Sequence, residues 1–100
     1  MVIIRRPRDS GKTTMLLHYM ELVPESILIV GKEDTAKQVR ELVKRLELTI
    51  AEKRIYGMIQ VNKIPAGHAV LIDDIDYIIK RWPEHGYELV KVADIVAESL

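Results

Sequence analysis

Arg6-Pro7-Arg8-Asp9-Ser10-Gly11-Lys12-Thr13-Thr14 lies between an apolar run, Val2-Ile3-Ile4, and an apolar helical run, Met15 to Val23. Strand, Gly-Lys-Thr loop, then helix is the order a phosphate cradle needs. Such a loop wraps backbone N–H groups around an anion, and the helix N-terminus adds partial positive charge. In this arrangement Lys12 reaches the terminal phosphates as a mobile cation, and the Thr13 hydroxyl sits on a magnesium ion.

Working outward, Val2 to Arg5 reads as a short buried strand, and residues 13–22 read as a helix that is apolar on most sides. Pro24 ends that helix. Ile27-Leu28-Ile29-Val30 reads as a second buried strand stopped by Gly31. Thr35 and Gln38 have the spacing of a capping box. Ala36, Val39, Leu42, Val43 and Leu46 then form one apolar stripe at helical spacing. Ile55 to Val61 reads as an edge strand, and Pro65-Ala66-Gly67 as a turn. Ala69-Val70-Leu71-Ile72 is another continuous apolar run, ending in Asp73-Asp74. Ile75, Ile78, Ile79 and Trp82 predict a helix stopped by Pro83. Tyr87 to Val92 reads as a last strand and Ala93 to Leu100 as a terminal helix. This alternation predicts a three-layer α/β/α fold with a mostly parallel sheet. Ligands in such sheets bind at the carboxyl ends of the strands, where the loop and the acidic pair both fall.

One hundred residues make a single small domain. An apolar share of 48% is enough for a packed core, and 15 basic residues balance 15 acidic ones. That balance gives no global steering toward nucleic acid or anionic membrane. The sequence has no Cys, hence no disulfide and no thiolate zinc site, which fits a reducing, cytoplasmic setting. No apolar run reaches the length of a membrane span. A start directly on a core strand leaves no room for a signal peptide.

Gly11-Lys12-Thr13 matches the end of the Walker A pattern, so the chain resembles the P-loop NTPase superfamily in a minimal form. Arg6 stands where the pattern has its first Gly, which requires ordinary backbone angles at that position. Four apolar residues followed by Asp73-Asp74 resemble the Walker B motif. The resemblance covers residues 2–76. It implies ATP and Mg2+ as ligands, with Arg8, Asp9, Ser10, Gly11, Lys12, Thr13 and Thr14 around the phosphates. It implies Thr13 and Asp73 on the metal, Lys12 as the catalytic cation and Asp74 orienting the attacking water. The family member at that position is usually Glu, one methylene longer. It also implies a strand between the loop strand and the acidic strand, ending in a polar sensor. The available segment is Tyr87 to Val92, whose Glu88 and Lys91 suit a central strand poorly. A fifth core strand has no segment at all. The loop arginines and Ile29 to Val43 have a texture similar to viral or phage packaging and helicase-like ATPases. That likeness implies an oligomer, or a partner protein working on nucleic acid.

Other residues carry competing readings. Arg5, Arg6 and Arg8 are extra cations near a triphosphate or a nucleic-acid backbone, or solvated side chains balanced by Asp9. Asp76 reads as a helix N-cap. His18, His68 and His85 lack metal-ligand spacing. Arg54 and Arg81 are either fingers reaching a neighbouring subunit or ordinary surface cations. Trp82 reads as core. Asn62-Lys63 starts like a guanine-reading motif, but Pro65 stands in its fourth place, which excludes a GTPase. Three function classes follow: an ATPase, a nucleotide- or anion-binding module without hydrolysis, and, ranked last, a small-molecule kinase.

Overall fold

Continuous runs of aliphatic and β-branched residues offer no polar face to water, so strands built from them must be covered on both sides. The computed structural model, which describes residues 1–7, 10–58 and 68–100, has that construction. In chain order the elements are β1 (Val2–Arg6), α1 (Lys12–Leu22), β2 (Ser26–Val30) and α2 (Glu33–Arg45). A 3₁₀ turn (Glu52–Arg54) then leads to β3 (Ile55–Gly57), β4 (Ala69–Asp73), α3 (Ile75–Arg81), α4 (Pro83–Val92) and β5 (Ile95–Ser99). The five strands form one all-parallel sheet in the order β1-β5-β4-β2-β3.

Alternate residues of each strand face opposite sides, and two cores result. Leu28, Val30, Leu71 and Ala97 pack with Leu16, Leu17 and Met20 of α1 and with Ala36, Val39 and Val43 of α2. Ile27, Ile29, Ile72 and Val96 pack with Ile75 and Ile78 of α3 and Leu89 of α4. Helices therefore cover both faces of the central strands, whereas β1, expected to be buried, is an edge strand with Val2 and Ile3 exposed. The connections through α1 and α2 run one way across the sheet, and that through α3 and α4 runs the other way on the opposite face, as a single crossover hand requires. Burying each such aliphatic side chain is worth about 1.5–3 kcal/mol over leaving it exposed.

The C-terminal third departs from the sequence reading. Tyr87 to Val92 is helical, and the strand is Ile95–Ser99, where a terminal helix was predicted. Pro83 does not simply stop a helix; it occupies the first turn of α4, where its missing N–H costs nothing. Gly86 lets α4 approach α3: a Cβ there would meet the Ile79 side chain at 2.8 Å. The capping box at Thr35 and Gln38 does not form, because α2 starts earlier, after Lys32, without a side-chain cap. Instead Glu33 and Asp34 complement its positive end and Lys44 and Arg45 its negative end. Asp74, not Asp76, holds the cap position of α3. Residues 59–61 of the expected edge strand, the turn at 65–67 and the Asn62-Lys63 pair lie outside the described residues. Among the described residues no helix is long and apolar enough to cross a membrane.

Arg54 is not poised as a finger. Its Nη2 donates to the carbonyls of Met20 and Val23 and to Ser26 Oγ, each at 2.8 Å, and its Nε donates to the Ser26 carbonyl at 2.8 Å. One guanidinium thus satisfies the carbonyls left over where α1 ends and β2 begins. Hydrogen bonds from a charged donor are worth about 1.5–3 kcal/mol. Arg54→Ala is therefore expected to lower the unfolding free energy by about 2–3 kcal/mol. Arg54→Lys should recover only part of this, since an ammonium cannot reproduce the planar fork. Urea melts measure both, and an unchanged midpoint in Arg54→Ala would contradict the clamp.

Candidate functional site

The crossovers leave β4 and β2, neighbours in the sheet, on opposite faces. This opens a crevice at their carboxyl ends, the place where ligands bind in open α/β sheets. A cleft of about 580 Å³ lies there and extends to the start of α1. Ser10, Gly11, Lys12, Thr13 and Thr14 form one wall; Gly31, Lys32, Thr35, Gln38 and Tyr77 form the other. Asp74, Asp76 and Ser99 lie between them.

The first wall begins with Gly11, whose φ of 85° and ψ of 18° are left-handed, a conformation glycine adopts without a Cβ penalty. It turns the chain sharply from the loop into α1. The first helical N–H groups have no partner within their own helix. Unlike α2, the first turn of α1 carries no acidic residue of its own. Arg6, in place of the pattern's first Gly, is the last residue of β1 and has no positive φ. The extended backbone at Arg6 accepts a side chain. Arg6 does not line the cleft, and Arg5 is drawn to Glu98 at 2.7 Å. Arg8 and Asp9 lie outside the described residues.

Lys12 is only 6% exposed. Its Nζ donates to Asp74 Oδ1 at 2.8 Å and to Ser99 Oγ at 2.6 Å. The Thr13 hydroxyl donates to Asp73 Oδ2 at 2.5 Å. Residues from the ends of β4 and β5 thus converge on the first turn of α1. Asp73 is 2% exposed, and its Oδ1 has no hydrogen-bond partner among the described residues. Burial pushes the Asp73 carboxyl above the usual carboxylate range, and neighbouring Asp74 adds to this. The Thr13 hydrogen bond, Lys12 and the Asp74 backbone pull it back only in part. A buried carboxylate with one idle oxygen beside a hydroxyl is a site short of positive charge. Among the described residues no three His, Cys, Asp or Glu side chains gather around a metal position. A cation here would use Thr13, Asp73 and oxygens of its ligand, which is the habit of magnesium.

Asp74 has φ 55° and ψ 50°, left-handed and uncommon for a residue with a Cβ. Such backbone positions cluster at functional sites. Asp76 Oδ1 accepts the Ser99 N–H at 3.3 Å, tying the end of β5 to α3. On the second wall, Gly31 leaves room for the Tyr77 ring; a Cβ there would lie 2.5 Å from the ring. Trp82 packs edge-on against Tyr77, with centroids 6.2 Å apart, and Lys32 Nζ lies 5.2 Å from the Tyr77 centroid.

The sequence-predicted Lys12, Thr13, Asp73 and Asp74 come together, and Ser10, Gly11 and Thr14 line the same cleft. His18, His68, His85 and Arg81 are exposed and do not line it. Sequence reasoning missed Ser99, Lys32 and Tyr77. The available signal for Ser99 was the run Ile95-Val96-Ala97 ending in a polar pair. Comparison with known protein families, characterised proteins and solved structures finds no match to this chain.

Proposed function

We propose that the chain is a small P-loop ATPase, binding ATP with magnesium in this cleft and cleaving the terminal phosphate. The convergence of Lys12, Thr13, Asp73, Asp74 and Ser99 at the uncapped start of α1 carries the reading. The sheet order adds support. β5 lies between the loop strand and the acidic strand and ends in Ser99, the polar residue that the resemblance calls for at that place. β1 is an edge strand, and no further strand among the described residues flanks it.

In this reading the N–H groups from Gly11 onward and Lys12 hold the phosphates. Magnesium, when bound, neutralises charge on the phosphate oxygens; Thr13 and Asp73 would hold it. Asp74 orients a water and accepts its proton. The water oxygen bonds to the terminal phosphorus as the bond to the bridging oxygen breaks. The electron pair leaves on the diphosphate, giving ADP and phosphate. Ser99 Oγ accepts from the Lys12 ammonium and lies 3.3 Å from Asp74 Oδ1, so hydroxyl, carboxylate and ammonium form one triangle.

One observation favours a second reading, a nucleotide-binding module without hydrolysis. Asp74 Oδ1 is engaged by Lys12 at 2.8 Å and by the Ser99 hydroxyl at 3.3 Å, which makes the carboxylate a weaker base. If both contacts persist with nucleotide bound, turnover is slow or absent. Titration calorimetry with ATP, with and without magnesium, followed by phosphate-release assays separates these readings. Magnesium-dependent binding at about 1–100 μM, or about −8 to −5.5 kcal/mol, is expected, together with phosphate release. Binding without release selects the module, and no heat at about 1 mM ATP removes both readings.

A further inference from the structure

The second wall of the cleft is not needed to hold phosphates on α1, yet it is built with care. Gly31 follows β2 without a Cβ, and only for that reason does the Tyr77 ring lie against the strand end. Trp82 braces the ring from its edge. Lys32, at the N-cap position of α2, is exposed and rests its ammonium over the ring face at 5.2 Å. Lys32 and Tyr77 both line the cleft. Among the described residues Lys32 forms no salt bridge, although Asp74 and Asp76 share the cleft. An aromatic face holds a cation with about 0.5–2 kcal/mol, enough to orient it and little enough to release it to an anion.

The strand order fixes which part of a triphosphate this cation meets. From the loop after β1, the floor passes Ser99 at the end of β5, the acidic pair at the end of β4, and then Gly31 and Lys32 at the end of β2. Phosphates held by the loop and Lys12 present their terminal group to the acidic pair. The end of β2 lies beyond the acidic pair in the strand order, across the cleft from the loop.

We propose that Lys32 is a second phosphate cation, supplied from within the chain and directed at the terminal phosphoryl group from the face opposite Lys12. The proposal rests on the nucleotide reading above and deepens it. Lys32 stays protonated throughout. As water's oxygen bonds to the terminal phosphorus, the bond to the bridging oxygen breaks and the proton passes to Asp74, while Lys32 neutralises charge on the transferring oxygens. A molecule so equipped does not need a neighbouring subunit to lend a finger.

The test compares a non-hydrolysable ATP analogue with ADP, both with magnesium, on the parent chain and on Lys32→Ala. The triphosphate-to-diphosphate affinity ratio is expected to fall at least fivefold in Lys32→Ala, with ADP affinity within twofold of the parent. Lys32→Arg restores the ratio, and Tyr77→Phe, which keeps the ring face, leaves it intact. Turnover in Lys32→Ala is expected to drop by about 10²–10³-fold, the usual effect of removing one donor to a developing charge. A ratio unchanged in Lys32→Ala, on a parent that binds both nucleotides, overturns the proposal and leaves the nucleotide reading standing. A parent that binds neither nucleotide overturns both.

Discussion

Lys12→Ala is expected to cut ATP turnover by at least about 10²–10³-fold and to weaken nucleotide binding by tenfold or more. The expectation comes from what the ammonium does before any ligand arrives. It is nearly sealed from water, at 6% exposure, and donates to a carboxylate and a hydroxyl that lie 3.3 Å from each other. Held in the cleft in advance, it has only to exchange the Asp74 oxygen for a phosphate oxygen when nucleotide enters. The stability effect should be smaller, because the Asp74 side chain is 46% exposed and the pair is partly screened. Lys12→Arg should not rescue activity: a flat guanidinium replaces a compact point charge in a space sized for the latter. Phosphate-release kinetics and calorimetry on the two variants check this. A Lys12→Ala protein that turns over ATP at the parent rate would refute the assignment of the cleft.

Asp73→Asn should move stability and function in opposite directions. Burial raises the Asp73 pKa in the folded chain above its unfolded value. The sign follows from linkage. The favourable contribution is complete below the unfolded pKa, about 3.9 for Asp. It is lost as pH rises through the folded value, so at neutral pH an ionised Asp73 works against folding. Asparagine removes that charge. Asp73→Asn is therefore expected to melt at a higher temperature than the parent near pH 7, with the gap closing toward pH 4 and below. The same change removes the carboxylate that faces Thr13. Magnesium-dependent ATP affinity should fall by about tenfold or more, about 1.4 kcal/mol, while binding without magnesium changes little. Melting curves across pH and paired titrations decide the matter. A variant less stable than the parent at pH 7 would show that the buried charge is compensated by the protein itself.

The N-terminal three-quarters of the fold were legible for a simple reason. Ile27 to Val30 and Ala69 to Ile72 are unbroken apolar runs, and the α2 stripe has a clean helical period; each of these signals matches its burial, whereas Val2 to Arg5 forms the expected strand but lies at the sheet edge with Val2 and Ile3 exposed. The last quarter misleads because its decisive residues carry little hydrophobic signal. On α4 the buried face runs through Gly86 and Leu89, and a glycine at a close helix crossing looks like a breaker. With Gly86 discounted, Tyr87 to Val92 passes for a strand. Across Ala93 to Leu100 the two alanines and Glu98 suggest helix, yet Ala97 is fully buried between β1 and β4. Glu98 is tolerated there because Arg5 lies opposite it on β1 and pairs with it. Tertiary placement overrides local propensity at both points. The error propagated to the site: with Ala93 to Leu100 read as a helix, Ser99 could not be placed beside Lys12. Tyr77 and Lys32 were hidden for a different reason, since their meeting depends on the missing Cβ of Gly31.

The left-handed turn at Asp74 bears on why the second acid is the shorter one. Asp and Asn tolerate that backbone region best among residues with a Cβ, since their short polar side chains bond locally. Here the backbone sets the direction of the carboxylate, and the side chain needs only to reach Lys12. A longer arm would add rotatable bonds without adding direction. The economy at this position therefore lies in aim rather than reach: the main chain does the pointing that other chains delegate to an extra methylene.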